Sequence, residues 1–114
     1  MPFLPYTRIE VFLPCNDVVE REAVGLAEEW MREQFGGATA STKYGPVFRG
    51  YWRGTDAWVE DQIVLIIADT ADGLEAVNEK LKELRTALVE IYQAAGREQD
   101  EFWITVTSIS RFVS

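Results

Sequence analysis

Histidine is absent from all 114 residues, and no other absence excludes as much. It removes the commonest general base, the usual zinc and haem ligand, and every Ser-His or Cys-His nucleophile pair. Cysteine occurs once, as Cys15, so no internal disulfide can form, which fits a reducing cytosol. The longest apolar run, "IVLIIA" at 63–68, is far too short to span a bilayer. The N-terminal stretch "MPFLPYTRIE" lacks both a basic n-region and an apolar h-region, so no secretory signal is expected. Basic residues are few: 11 against 19 acidic ones, a net charge of −8 that repels phosphate backbones and anionic membranes. No spacing matches an EF-hand, a P-loop or a dinucleotide fingerprint. These absences lead to the expectation of a cytoplasmic protein with no metal, no cofactor, no nucleic-acid partner and no membrane association.

What is present is an ordinary globular composition, 47% hydrophobic and 26% charged, in a length that suits one domain over 1–114. "YTRIEVFL" at 6–13 alternates as a half-buried strand, with Thr7, Ile9, Val11 and Leu13 on one face. A helix is expected over about 17–35, capped by Asn16 or Asp17 and stopped by Gly36-Gly37. Its inward stripe reads Val19, Ala23, Leu26, Ala27, Trp30 and Gln34. "ATASTKY" at 38–44 and "VFRGYWR" at 47–53 read as strands, and "WVEDQIVLIIAD" at 58–69 as a central one, apolar on both faces from Ile63. A second helix over about 73–95, begun by Thr70 or Asp72, carries Leu74, Val77, Leu81, Leu84, Leu88, Ile91 and Ala95. That spacing suits a coiled coil, but the closely flanking strands favour packing on a sheet. "FWITVTSISRF" at 102–112 is the last strand. The order β-α-β-β-α-β is the ferredoxin-like, split βαβ plan: an α+β fold with a four-stranded antiparallel sheet, two helices on one face, and an extra hairpin arm at about 45–56.

The candidate residues cluster in "GPVFRGYWRG" at 45–54. Strand alternation puts Arg49, Tyr51 and Arg53 on one face, about 7 Å apart, and guanidinium forks suit carboxylate or phosphate. With Arg8 and Glu60 they form a candidate site for a small anionic metabolite. The competing expectation is that the arginines pair with Glu60, Asp61 or Glu10. Carboxylate pairs such as Glu28-Glu29 and Glu60-Asp61 are adjacent in sequence and diverge, so they do not make an acid/base couple. Cys15 precedes a helix N-terminus, where a thiol pKa falls, but without a histidine a structural thiol is expected. The open sheet face offers Phe12, Trp103 and Thr105 as a candidate interface, and such a mixed patch marks a partner surface or a ligand pocket.

"RGYW" at 49–52 resembles the opening of the RNA-recognition signature, but "RGT" follows where an apolar-aromatic strand should continue. The overall plan, with Gly36, Gly37, Trp52, Arg53, Gly54 and Glu60, resembles small ferredoxin-like families that pair into dimeric α+β barrels, and an uncharacterised domain family of this size. The resemblance implies a homodimer. Some dimeric barrels are small monooxygenases or bind haem, and those that use a histidine have no counterpart here. The leading expectation is a non-enzymatic, cytoplasmic homo-oligomer that binds a protein partner through the sheet face or the arm. The alternatives are the anion-binding module and a cofactor-independent enzyme working through Tyr51 and Glu60.

Overall fold

The structure is a computed structural model, and it describes residues 2–41, 48–99 and 101–112. The chain runs β1 (Phe3–Pro14), α1 (Val18–Phe35), β2 (Thr39–Ala40), β3 (Phe48–Arg53), β4 (Trp58–Thr70), α2 (Leu74–Ala94) and β5 (Trp103–Phe112). β1 is flanked antiparallel by β4 and β5, with Ile9 opposite Ala68 on one side and Val106 on the other. The far side of β4 carries two short strands in line, β2 opposite Ile66–Ile67 and β3 opposite Trp58–Ile63. The expected four strands are therefore five, because the row beside β4 is broken into β2 and β3. Of the stretch expected as a strand over 38–44, residues 39–40 form β2, and 42–44 lie outside the described residues, as do Gly45, Pro46 and Val47.

Alternation on β1 buries Thr7, Ile9, Val11 and Leu13, and their β4 partners Thr70, Ala68, Ile66 and Val64 share that face. Both helices cover it. Val77, Leu84, Leu88 and Tyr92 of α2 are fully buried there, so the periodic stripe of α2 serves a helix-on-sheet contact. Leu74, the first member of the stripe, is exposed. The inward side of α1 differs from the expected one. Glu20, Ala23, Val24, Ala27, Met31 and Phe35 are buried, whereas Val19 and Leu26 are exposed and Trp30 is half-buried. The stripe is turned by one residue because Glu20 faces inward, where Asn16 and Arg97 satisfy its carboxylate. A charged residue at that position hides the true face from a purely apolar pattern.

Asp17 caps α1 by accepting from the Glu20 N–H at 2.8 Å, and Gly36 ends it with φ 82°, a left-handed conformation that glycine adopts without strain. The cap of α2 differs from either expected residue: Gly73 occupies it, with no side-chain hydrogen bond. Thr70 instead closes the preceding turn, its Oγ1 accepting from Asp72 N–H.

Candidate interaction surface

Beyond Ile63, β4 outruns β1, whose pairing ends at Pro14 opposite Ile63. The first residues of β4 pair only with β3, so the two form a hairpin that projects from the sheet of a molecule measuring 52 × 27 × 23 Å. The turn at its tip depends on Gly54. Its N–H donates to Ala57 C=O at 2.8 Å, and a Cβ on Gly54 would meet that oxygen at 2.7 Å.

The base of the hairpin is tied to the body by Asn16. Its Oδ1 accepts from Gln62 N–H at 2.8 Å, while its Nδ2 donates to Glu20 at 3.0 Å and to Asp61 at 3.1 Å. Arg97, arriving after α2, adds ion pairs to Asp17 and Glu20. Accepting from Glu20 N–H, and then the Arg97 pair, holds the Asp17 carboxyl below its ordinary pKa. Beside this cluster Cys15 is buried, and burial pushes its thiol pKa up, so the lowering available at a helix N-terminus does not prevail. The Tyr92 phenol, donating to Pro14 C=O at 2.6 Å, is likewise pushed well above its ordinary value by burial.

The arm itself is exposed. Register places Arg49, Tyr51 and Arg53 on one side with Gln62, Glu60 and Trp58, as alternation requires. Arg49 Nε lies 3.6 Å from Glu60 Oε1 across an exposed pair, and the Arg53 guanidinium sits 5.5 Å from the Trp58 ring centre. Tyr51 and Trp58 are 57% and 65% exposed, and Phe48 and Val59 on the opposite side are also exposed. Each side of the two-stranded ribbon thus carries exposed large apolar side chains, on one of them interleaved with Arg49, Arg53 and Glu60.

Arg8 does not belong to this group. It lies on the helix-free face, where its Nε and Nη2 fork onto Asp69 at 2.9 and 3.0 Å. That pairing holds the guanidinium pKa above its ordinary value. Asp69 and Gln62, the β4 partners of Arg8 and Arg49, are about 23 Å apart along the strand. The five residues expected to bind one anion therefore divide between two ends and two faces of the sheet. The sequence pattern assigns faces within each strand, but the inter-strand register that separates them is a tertiary property.

Phe12, Trp103 and Thr105 do share the helix-free face. Phe12 pairs with Trp103 in register, their rings 5.1 Å apart, and Thr105 Oγ1 donates to Glu10 at 3.2 Å. Beside the ring pair a cavity of about 290 Å³, bounded by Ile63, Phe102, Asp61 and Glu101, opens at the root of the arm. Among the described residues, no three His, Cys, Asp or Glu side chains are grouped as a metal site requires, and no helix is long and apolar enough to cross a membrane.

No protein-family model matches the sequence, and no curated protein sequence does either. Solved structures do match. The divalent cation tolerance protein CutA1 of Thermus thermophilus superposes with a TM-score of 0.60 at 14% identity, over 91% of this chain and 84% of that one. CutA1 of Oryza sativa gives 0.51 at 16% identity, over 96% and 84%. The divalent ion tolerance protein CutA1 of Ehrlichia chaffeensis gives 0.54 at 12%, over 91% and 80%. The likeness is one of fold. It supports the α+β, ferredoxin-like reading, and it is compatible with the broader resemblance seen in the sequence.

Proposed function

We propose that this chain is a non-enzymatic, cytoplasmic homo-oligomer whose projecting arm and helix-free sheet face are its contact surfaces. The observation that supports this reading is the arm: Tyr51, Trp58, Phe48 and Val59 are exposed on a two-stranded ribbon that, among the described residues, has no second layer. An isolated hairpin is marginal in water, and apolar side chains on both of its sides favour a covering partner. A second copy is the simplest cover, since closed symmetric pairs are the commonest soluble assemblies. Phe12, Trp103 and Thr105, with the cavity at the arm root, supply a receiving surface of matching apolar character. Its rim carries Asp61 and Glu101, opposite in sign to Arg49 and Arg53 of an incoming arm. The cytoplasmic part rests on the single cysteine, buried and with its thiol pKa raised. The reading takes nothing from the divalent cations in the names of the structural relatives.

Light scattering at tens of micromolar tests it. A mass that is a multiple of 13.0 kDa is expected, falling toward one chain in Trp58→Ala. A clean monomer for the wild type overturns the reading.

A further inference from the structure

At the opposite end of the sheet from the arm, a cavity of about 650 Å³ opens between the end of α1 and the helix-free face. It lies within the size range of small-molecule sites. Its walls combine Phe35 and Ile67 with Tyr6, Thr39, Arg8, Asp69 and Arg111. We propose that this cavity binds a small monocarboxylate with an apolar or aromatic body, held by Arg111. The cavity borders the same helix-free face as the proposed contact surface but lies at its other end, away from Phe12, Trp103 and Thr105.

The charges around the cavity carry the argument. Arg8 and Asp69 neutralise each other through a two-point fork. Lys80, beneath Phe35, donates to Gln34 C=O at 2.7 Å and reaches Asp72 at 4.0 Å, so its charge is spent on the end of α1 and on one acid. Glu10, the next acid along the face, accepts from Thr105. Arg111 differs from these: its guanidinium stacks over the Tyr6 ring at 5.1 Å, and among the described residues it has no carboxylate partner. The local balance is therefore close to a single positive charge on a planar fork already oriented by an aromatic ring. A fork of that kind takes a carboxylate through two parallel hydrogen bonds. A phosphate dianion fits less well. Asp69 and the negative end of α1 at Phe35–Gly36 both face the space, and among the described residues Arg111 is the one guanidinium there without a carboxylate. Phe35, Ile67 and the Tyr6 ring give the body of the ligand an apolar wall. The Gly36-Gly37 bend leaves the mouth open, since a Cβ at either position would meet nothing within 4 Å.

The test is a titration of the full ¹⁵N-labelled chain with sodium benzoate, followed by amide shifts, with inorganic phosphate in parallel. Saturating shifts are expected at Gly36, Gly37 and Thr39. Arg111→Gln, at an exposed position, is expected to weaken benzoate by about tenfold or more, the loss for a charge-assisted hydrogen bond. Arg49→Gln, on the arm, is expected to leave it unchanged. The inference is overturned by the absence of saturating shifts with benzoate, or by wild-type affinity in Arg111→Gln. Tighter binding of phosphate overturns the carboxylate class. Light scattering on the same samples separates the two readings: a monomer that binds benzoate removes the assembly and keeps this site.

Discussion

The two halves of β4 obey the same alternation yet live in different environments. From Ile63 to Thr70 the strand is paired with β1 throughout, β2 joins its other edge at Ile66 and Ile67, and its inward residues Val64, Ile66 and Ala68 are almost inaccessible. From Trp58 to Asp61 it is paired, among the described residues, on the β3 edge, and its side chains are largely exposed on both faces. Backbone hydrogen bonding continues unbroken across the change, so the ladder alone does not decide where the core ends. The second layer does. Where α1 and α2 cover the strand, alternation becomes burial. Where they stop, the same pattern leaves Tyr51, Trp58, Phe48 and Val59 exposed. The transition falls at Asn16, which binds the backbone of Gln62 and the side chains of Asp61 and Glu20.

The sharpest way to break this comparison is to remove a large side chain from the layer that covers the inward half and one from the outer half. Leu88→Ala, at a fully buried α2 position in the core that also holds Val64, Ile66 and Ala68, is expected to cost about 2–5 kcal/mol of folding free energy, measured by urea unfolding. Trp58→Ala deletes a larger side chain but from an exposed site. In the isolated chain it is expected to shift stability by no more than about 0.5 kcal/mol. A multi-kcal/mol loss for Trp58→Ala in a sample that stays monomeric throughout would mean that the arm is part of the core.

Tyr92→Phe ranks next. The change preserves the apolar ring, packed edge-on against Phe102 at 5.5 Å, but removes the donor to Pro14 C=O. That carbonyl lies where β1 ends and the arm departs, and it would lose its partner near the buried end of α2. The expected cost is about 1–3 kcal/mol. Wild-type stability for this variant would show that water replaces the phenol, and that the junction is wetter than the body.

Much of this architecture is legible in the sequence because it rests on local periodicity and caps. The inward positions Val77, Leu84 and Leu88 of α2, the Gly36 stop and the alternation of β1 each follow from short-range chemistry. The faces of Arg49, Tyr51 and Arg53, and the ring pair of Phe12 and Trp103, follow from alternation once the strands are placed. What local signals do not supply is long-range. The inward turn of Glu20 depends on Arg97, 77 residues away, and the separation of Arg8 from Arg49 depends on strand register. Arg111 reads in the sequence only as part of the last strand. Its stacking on Tyr6 arises from pairing β5 with β1, which no local signal reports.

The smallest effect concerns pH and belongs to the junction. Asp17 has a folded-state pKa below its unfolded value because it accepts from Glu20 N–H and pairs with Arg97. A carboxyl of this kind stabilises the fold above its unfolded pKa of about 3.9, and the contribution disappears as pH falls through the lower folded value. Asparagine caps a helix nearly as well as aspartate but carries no charge. Asp17→Asn is therefore expected to lower the urea midpoint slightly at neutral pH and to converge on the wild type in strong acid. Salt should narrow the neutral-pH gap, since the Arg97 pair is solvent-accessible. Parallel pH curves for the two proteins would place the acid sensitivity elsewhere. Buried Glu20, which shares Arg97, would then be the group to substitute, because it accepts from Asn16 at the root of the arm.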